Sequence, residues 1–139
     1  MEQTLLMVKP DGVRRGLIGE IIARVERKGF KIAALKMVCF DKATAENFYQ
    51  EHLEKSFFPM LFNFMTSGPA VAMVLEGENV IPVIRTIMGS TNYVQAAPGT
   101  IRGDYATNMT ENVVHGSDSP EAAAREIGIL FDKSEIHPR

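Results

Sequence analysis

The sequence predicts an α+β fold in which helices cover a mostly antiparallel sheet. The main observation is the order of its segments, because short apolar runs typical of strands alternate with helical periodicity as β-α-β-α-α-β-α-loop-β-α. The 139 residues suit one domain, and 45% of them are hydrophobic, which is enough to fill one core. The one cysteine, Cys39, excludes an intrachain disulfide framework and is typical of a reducing compartment. We therefore expect a single domain over residues 1–139.

The charge balance argues against two broad classes of partner. Fifteen Lys and Arg residues against 17 Asp and Glu give a formal net charge of −2, so no overall basic field attracts nucleic acid or anionic lipid. No apolar run approaches the roughly 20 residues of a membrane span, and Met1-Glu2-Gln3 lacks the basic start of a signal peptide. We expect a cytoplasmic protein with no membrane or nucleic acid partner, in which any anion site is local.

The chain opens with a strand followed by a helix. Thr4–Val8 is a mainly apolar run that predicts a buried strand, and Pro10-Asp11-Gly12 predicts the turn that ends it. Lys9 then lies at the mouth of this strand. Apolar residues recur at helical spacing over residues 17–25, and Gly29 predicts the end of that helix.

A second strand and two helices follow. Phe30–Phe40 predicts the strand, and its alternation changes phase near Ala33-Ala34-Leu35, as it does at a β-bulge. The next helix has a face formed by Ala45, Phe48, Tyr49 and His52. Pro59 suits the start of another short helix, which Gly68-Pro69 closes.

The second half contains a long stretch without periodicity. Ala70–Leu75 predicts the third strand, and Asn79 predicts the cap of a helix that stops at Gly89. Residues 89–112 then show no sustained period, and loops longer than about 12–15 residues are usually functional or disordered. The run Asn112–His115 predicts a short fourth strand.

The last predicted helix carries a carboxylate at the edge of its apolar stripe. Ser119 and Pro120 predict its N-cap and first turn. The stripe comprises Ala123, Ile127, Leu130 and Phe131. Glu126 lies beside this stripe and can face inward. A surface ion pair is the alternative, but Ala122 and Leu130 occupy the two i±4 positions, which weakens it.

His115 is the histidine most suited to chemistry. It ends the predicted fourth strand and precedes Gly116, so a ligand can approach its ring. A carboxylate such as Glu126 can orient an imidazole and favour its cationic form. The alternative is a half-buried histidine whose hydrogen bonds are satisfied within the fold.

Two arginines and a threonine surround the long loop. Arg85 precedes the loop, Arg102 lies within it, and Thr91 adds a hydroxyl near its start. Guanidinium groups suit phosphate oxygens, so the trio predicts an anion site, to which Lys9 adds a further cation. Taken singly, each of these charges is more often a solvated surface group.

Familiar signatures of nucleotide and metal sites are missing. The sequence has no G-x-x-x-x-G-K-[ST], G-x-G-x-x-G, H-E-x-x-H or C-x-x-C motif. Its histidines, His52, His115 and His137, are too scattered for a metal cage, so we expect no metal bound by protein ligands. Phe57 and Phe58 are either core residues or include one exposed ring that stacks on a base without reading its identity.

The octapeptide Asn112-Val113-Val114-His115-Gly116-Ser117-Asp118-Ser119 resembles the active-site signature of nucleoside diphosphate kinases. Further motifs fall in that family's order: Val8-Lys9-Pro10-Asp11-Gly12, Phe48-Tyr49 with Glu51-His52, Met65-Thr66-Ser67-Gly68-Pro69, Leu75-Glu76-Gly77-Glu78-Asn79 and Pro98-Gly99-Thr100-Ile101-Arg102-Gly103-Asp104. The resemblance covers nearly the whole chain and implies one domain of this family over residues 1–139. It also implies a ferredoxin-like, four-stranded antiparallel sheet with helices packed on it.

The resemblance assigns a role to each candidate residue that meets the nucleotide. Arg85, Thr91 and Arg102 are expected to hold its phosphates, while Lys9 and Asn112 bind its sugar hydroxyls. The metal is Mg²⁺, carried by the nucleotide phosphates rather than by a protein cage.

The resemblance also assigns the reaction. His115 is expected to become a phosphohistidine, and Phe57 to stack on the base. Tyr49 is expected to border the transferring phosphate, and Ser117 and Glu126 to position the imidazole. The implied activity is transfer of the γ-phosphoryl group of an NTP to an NDP by a ping-pong mechanism, with broad base and sugar tolerance.

One motif departs from the family pattern. Thr91-Asn92-Tyr93 stands where the family usually has Thr-Asn-Pro, in a loop that contributes to subunit contacts. Proline fixes φ and lowers the entropy of the unfolded chain, whereas tyrosine does neither. The resemblance implies a homo-oligomer, for which tetramer and hexamer both stay open.

Two other function classes are worth weighing. RNA-recognition modules use a similar sheet, but they carry an aromatic and basic strand that this acidic chain lacks. A phosphohistidine carrier between proteins would need His115 but neither a base platform nor sugar donors. Labelling from ATP, followed by a chase with each NDP, separates such a carrier from a nucleotide kinase.

Overall fold

One antiparallel sheet of four strands organises the computed structural model, which describes residues 2–139. The strands are β1 (Gln3–Val8), β2 (Lys31–Val38), β3 (Ala70–Glu76) and β4 (Val114–Gly116). They lie side by side in the order β2-β3-β1-β4, and each neighbouring pair is antiparallel. This arrangement confirms the predicted α+β fold.

Seven α-helices of the described chain surround this sheet. They are α1 (Pro10–Arg14), α2 (Ile18–Lys28), α3 (Lys42–Phe48), α4 (Phe58–Met65), α5 (Val80–Met88), α6 (Ile101–Tyr105) and α7 (Pro120–Leu130). Short 3-10 helices occupy Gln50–His52 and Lys133–Glu135. Within residues 2–139, no helix has the length and apolar character that crossing a membrane requires.

Apolar cores cover both faces of the sheet. On one face, Leu5 and Met7 of β1 share a core with Phe48 of α3 and with side chains of α4 and α7. On the other face, Leu6 and Val8 share a core with side chains of α2 and α5. Because consecutive strand residues point to opposite faces, a strand covered on both sides is a continuous apolar run.

Three local predictions are confirmed by the backbone. The phase change in β2 is a register shift between Ile32 and Ala34, as a bulge requires. Gly29 ends α2 with a φ of 106°, which favours glycine. The Ser119 hydroxyl caps α7 by accepting from the backbone N–H of Ala122 at 3.1 Å.

Two local predictions are wrong. Pro10-Asp11-Gly12 opens α1 instead of forming a turn, since proline suits the first helical position, where a missing N–H costs nothing. Asn79 stands at the start of α5 with a φ of 56° and its side chain makes no capping bond. The Glu2 carboxylate accepts from the N–H of Ile81 at 3.0 Å instead.

The stretch over residues 89–112 is more regular than its sequence predicts. It contains α6, whose first turn is capped by Thr100, with the hydroxyl accepting from the N–H of Gly103 at 3.0 Å. Five residues are too few to show a helical period against the loop around them.

The boundaries of α3 and β4 also differ from prediction. The helix α3 ends at Phe48, so Tyr49 and His52 lie beyond it, His52 in a 3-10 helix. The strand β4 starts at Val114 rather than at residue 112, because Val113 has a φ of 79°, which a strand residue does not adopt. His115 therefore lies in the middle of β4, paired with Met7 of β1.

Candidate active site

A cavity of about 240 Å³ lies where the end of β1 meets the start of β4. Its lining comprises Lys9, Phe48, Tyr49, Glu51, His52, Phe57, Leu61, Arg85, Thr91, Arg102, Asn112, His115 and Glu126. These side chains include nine of the ten predicted site residues. The tenth, Ser117, is buried and contacts Glu126. A wider and more open cavity of about 610 Å³ adjoins the first at Arg85 and Thr91.

His115 is anchored through one ring nitrogen. Its Nε2 lies 2.9 Å from Oε1 of Glu126, and the Ser117 hydroxyl donates to the same oxygen at 2.7 Å. An ionised carboxylate only accepts, so Nε2 carries the proton of this hydrogen bond. In the neutral ring Nδ1 therefore keeps its lone pair.

The Glu126 carboxylate is buried yet stays ionised. Burial by itself raises the pKa of Glu126, but the hydrogen bonds from His115 and Ser117 outweigh it and hold the pKa below its ordinary value. Arg125 adds a weaker attraction, with Nη2 3.7 Å from Oε2. The structure confirms the inward-facing position predicted for Glu126 on α7, since its side chain is only 6% exposed.

Aromatic rings pack against the imidazole. The Phe48 ring meets the His115 ring edge-on with centroids 5.2 Å apart, and Tyr49 packs on Phe48 at 4.9 Å. The Tyr49 hydroxyl is buried and has no hydrogen-bond partner among residues 2–139. Burial, and then the negative charge of Glu126, raise the pKa of this phenol. Tyr49 is therefore a neutral phenol that lines the cavity and keeps an unused donor.

Lys9 and Asn112 meet across the cavity wall. The Lys9 ammonium donates to Oδ1 of Asn112 at 2.8 Å. Burial and the nearby charge of Arg102 lower the pKa of Lys9 to about 8, although Asp11 pulls in the opposite direction. Lys9 is thus a cation close to its titration point, rather than a solvated charge.

The two arginines are held by carbonyl groups on either side of His115. Arg102 donates through Nη2 to the Val114 oxygen at 2.8 Å, and Arg85 donates through Nη1 to the Gly116 oxygen at 3.2 Å. Arg102 is buried, and this burial, with the charge of Arg85, lowers its pKa to about 10. Its Nε finds no partner among residues 2–139. The arrangement presents donors to an anion beside the imidazole.

Phe57 forms the most open wall of the cavity. Its ring is 43% exposed and lies 5.4 Å from the His52 ring. Lys55 sits over the Phe57 ring, with Nζ 5.7 Å from the centroid. Of the two phenylalanines considered as a base platform, Phe57 is the exposed one, whereas Phe58 packs against the core that contains Phe48.

His52 and Glu51 also line the cavity, although neither is among the predicted site residues. The sequence predicts His52 only as a residue of a helix face and as one of three histidines too scattered for a metal cage. Its Nδ1 is buried without a partner among residues 2–139. The signal that could have found both residues is the Glu51-His52 pair within the family motif that begins at Phe48.

No carboxylate cage for a metal is built here. Among residues 2–139, no group of three or more His, Cys, Asp or Glu side chains is arranged to hold a metal ion. The cavity is lined instead by three cations, Lys9, Arg85 and Arg102. Such a lining suits a polyanion.

The chain is similar to known proteins over nearly its whole length. The chain matches the family model described as nucleoside diphosphate kinase over residues 2–136. It is 62% identical over 136 residues to a nucleoside diphosphate kinase from Methanosarcina barkeri, covering 98% of this chain and 91% of that protein. A nucleoside diphosphate kinase from Thermus thermophilus is 58% identical over 136 residues, covering 98% of this chain and 99% of that protein.

A solved structure gives the same result for the fold. The halophilic nucleoside diphosphate kinase from Halobacterium salinarum, in complex with CDP, superposes with a TM-score of 0.96 at 47% identity, covering 99% of this chain and 92% of that one. The four-stranded antiparallel sheet expected from the resemblance is therefore confirmed. Together, the family match, the relatives and the fold show that this chain belongs to the nucleoside diphosphate kinase family.

Proposed function

We propose that the protein transfers the γ-phosphoryl group of an NTP to an NDP through a phosphohistidine on His115. The observation that carries this proposal is the anchoring of Nε2 by Glu126, which leaves Nδ1 as the nucleophilic nitrogen in a cavity lined by cations. Family membership supports the kinase activity. The covalent route follows from the imidazole, since one site can then serve donor and acceptor in turn.

The first half-reaction forms one bond and breaks one. The Nδ1 lone pair attacks the γ-phosphorus, and the bond from that phosphorus to the β–γ bridging oxygen breaks, with its electrons leaving on the NDP. The Nε2 proton stays on the ring, where Glu126 balances the positive charge that develops. In the second half-reaction, a β-phosphate oxygen of another NDP attacks the phosphohistidine and restores the free ring.

The cations stabilise charge where it builds up. Arg85 and Arg102 bond the carbonyls of Gly116 and Val114, the residues that flank His115 in the chain, so we assign them to the phosphate oxygens. Thr91 supplies a hydroxyl in the same lining. Tyr49, with its unpaired phenol, is assigned to a donor role toward the transferring phosphoryl group. Preorganised donors of this kind usually supply the largest part of catalysis.

The metal comes with the substrate. Phosphate oxygens are hard ligands that suit Mg²⁺, and the cavity offers cations in place of a carboxylate cage. We therefore propose an Mg²⁺–NTP complex as the donor. The two carboxylates of the lining are Glu51 and Glu126, and Glu126 is already committed to His115 and Ser117.

We assign the base of the nucleotide to the Phe57 ring and its sugar to Lys9 and Asn112. The exposed Phe57 face suits stacking on any base, and Lys9 with Asn112 can bind sugar hydroxyls. The Halobacterium relative was solved with CDP, and we expect nucleoside diphosphates of both base classes here.

We also propose that the enzyme is a homo-oligomer. Leu35 and Met37 lie two residues apart on the edge strand β2 and are 49% and 58% exposed, and an edge strand with exposed apolar side chains is suited to pairing with another chain. Analytical ultracentrifugation measures the assembly, and a monomer at micromolar concentration contradicts the proposal.

A labelling experiment tests the proposed reaction. The protein is incubated with γ-labelled ATP and Mg²⁺, freed of nucleotide, and then chased with ADP, GDP, CDP or UDP. We expect an acid-labile, base-stable label that moves to each NDP as NTP. A label that no NDP removes indicates a phosphohistidine carrier instead, and no label at all overturns the covalent route.

A further inference from the structure

Val113, two residues before His115, has a backbone conformation that β-branched residues avoid. It is fully buried and has a φ of 79°. The N–H of Val114 donates to the carbonyl of Asn112 at 2.9 Å, so the three residues form a turn with the hydrogen bond and the sign of φ of a classic γ-turn. Such a strained turn persists only where its surroundings over-determine it.

Residues 9–11 hold both polar groups of Val113. The Asp11 carboxylate accepts from the Val113 N–H at 3.1 Å, and the Lys9 N–H donates to the Val113 carbonyl at 2.8 Å. Gly12 makes this approach possible, because a Cβ there would lie 2.7 Å from a methyl group of Val8 and 3.1 Å from the Val113 oxygen. The turn and the start of α1 are therefore clamped together.

Burial of the Asp11 carboxylate costs free energy, and the few hydrogen bonds that it makes offset little of that cost. It is only 6% exposed, and its Oδ1 has no hydrogen-bond partner among residues 2–139. A buried carboxylate with one free oxygen contributes poorly to stability. Its bond to the strained peptide is thus better explained by geometry than by stability.

The turn determines which way the site residues face. Successive strand residues alternate between the two faces, so a turn at Val113 resets the phase of β4 relative to Asn112. Asn112 on one side of it contacts Lys9, and Val114 on the other side holds Arg102. Relaxing Val113 to an extended conformation would change the angle between Asn112 and His115.

We propose that Asp11 is a positioning residue for phosphoryl transfer. Its carboxylate holds the Val113 turn and thereby sets the orientation of the His115 ring relative to the nucleotide. This inference rests on the proposed function, because it takes His115 as the group that accepts phosphoryl.

The test is a double-mutant cycle on Asp11 and Val113. Single-turnover labelling of His115 at saturating ATP measures the transfer step. We expect Asp11→Ala to slow transfer by roughly 10- to 100-fold, a range borrowed from orienting residues at metal-bound histidines. Asp11→Asn keeps an acceptor oxygen and should retain most of the rate. Glycine adopts positive φ without strain, so in the Val113→Gly background we expect Asp11→Ala to slow transfer far less.

A matched control separates positioning from stability. Val25→Ala removes two methyl groups from the buried face of α2, away from the cavity, and lowers stability without touching the turn. It should leave the labelling rate unchanged at temperatures where all variants are folded. An equal rate loss in this control, or the same Asp11→Ala effect with and without Val113→Gly, overturns the inference.

A second readout does not depend on activity. Imidazole ¹⁵N chemical shifts of His115 report ring orientation and its bond to Glu126. We expect Asp11→Ala to move these shifts and Val25→Ala to leave them in place. Unmoved shifts in Asp11→Ala defeat the positioning role even where the wild-type protein takes the label. A wild-type protein that takes no label defeats the proposed function, on which the positioning role rests.

Discussion

Lys9 and Asn112 are joined by a 2.8 Å hydrogen bond although 103 residues separate them in the chain. One follows the first strand and the other precedes the last, and the pairing of β1 with β4 brings them together. The pair therefore exists before any nucleotide arrives. Its amine is also the group in the site closest to titration at mildly alkaline pH.

Nucleotide affinity should fall as pH rises through about 8. Burial and the charge of Arg102 lower the Lys9 pKa to about 8, so the folded protein loses this cation well below the ordinary lysine range. The same shift predicts that stability increases between about pH 8 and pH 10.5, because there the unfolded chain binds the extra proton. NDP affinity measured from pH 6.5 to 9.5 tests this. The step should disappear in Lys9→Met, and a step that survives this substitution belongs to another group.

His115→Gln should abolish both the phosphoenzyme and turnover while nucleotide still binds. The carboxamide keeps much of the bulk of the ring but offers no nucleophile. Labelling and a fluorescent-nucleotide titration of the same preparation give the two answers. Near-normal turnover in this variant would contradict the covalent mechanism.

Glu126→Gln should lower the transfer rate and hardly change nucleotide affinity. The amide keeps the shape but loses the charge that holds Nε2 and balances the imidazolium. We expect a loss of roughly 10- to 100-fold, by analogy with partners of metal-bound histidines. Single-turnover labelling against ATP concentration gives rate and affinity separately. A variant that loses affinity and keeps its maximal rate shows that Glu126 belongs to binding instead.

Arg102→Ala provides the contrast, because it should weaken both binding and transfer. A guanidinium on phosphate acts in the ground state and in the transition state. It also releases the Val114 carbonyl. Loss of rate alone, with unchanged affinity, would limit Arg102 to a role in the transition state.

Phe57→Ala should lower the binding affinity for purine and for pyrimidine nucleotides by similar factors. Base stacking on one aromatic ring contributes about 1–3 kcal/mol and does not depend on base edges. Affinities for ADP, GDP, CDP and UDP in both proteins test the point. A loss confined to one base would mean that the platform reads base identity.

Tyr93→Ala should lower the melting temperature. Tyr93 is partly buried against the core on the α2 and α5 side of the sheet, so its ring stabilises the loop by packing. Tyr93→Pro lowers the entropy of the unfolded chain, which stabilises the fold by about 0.4–1 kcal/mol where the native φ suits proline, but it loses the ring contacts. We expect no net gain from proline, which differential scanning calorimetry can check. A clear rise would show that the ring contributes little.

The sheet and the main helices could be predicted because their signals are local. The apolar run Thr4–Val8 directly indicates a buried strand. Gly29 directly indicates a helix end, because its positive φ favours glycine. The Val113 turn could not be predicted, since its own propensity opposes the φ that Asp11 and Lys9 impose from a distant part of the chain. The wrong cap at Asn79 has a similar cause, because the distant Glu2 carboxylate accepts from the N–H of Ile81. The helix α6 could not be predicted because five residues are too few to show a helical period.

The candidate site shows a similar division. Glu126 could be placed from its position beside an apolar stripe, and the structure buries it beside His115. A single lysine charge is more often a solvated surface group, whereas the fold buries Lys9. Only the family motif gave a reason to group residues as far apart in the chain as Lys9, Phe57 and Asn112.

The carbonyl of Val114 has a consequence for nucleotide exchange. It restrains the buried Arg102 side chain in advance, whereas a ligand that must freeze a long side chain loses about 0.5–1.5 kcal/mol of affinity for each one. In this protein that rotamer entropy is lost once, on folding. The proposed ping-pong cycle admits and releases nucleotide twice, and Arg102 keeps its hydrogen bond to Val114 between the two events. Product can therefore leave a site whose buried cation is already in place for the next nucleotide.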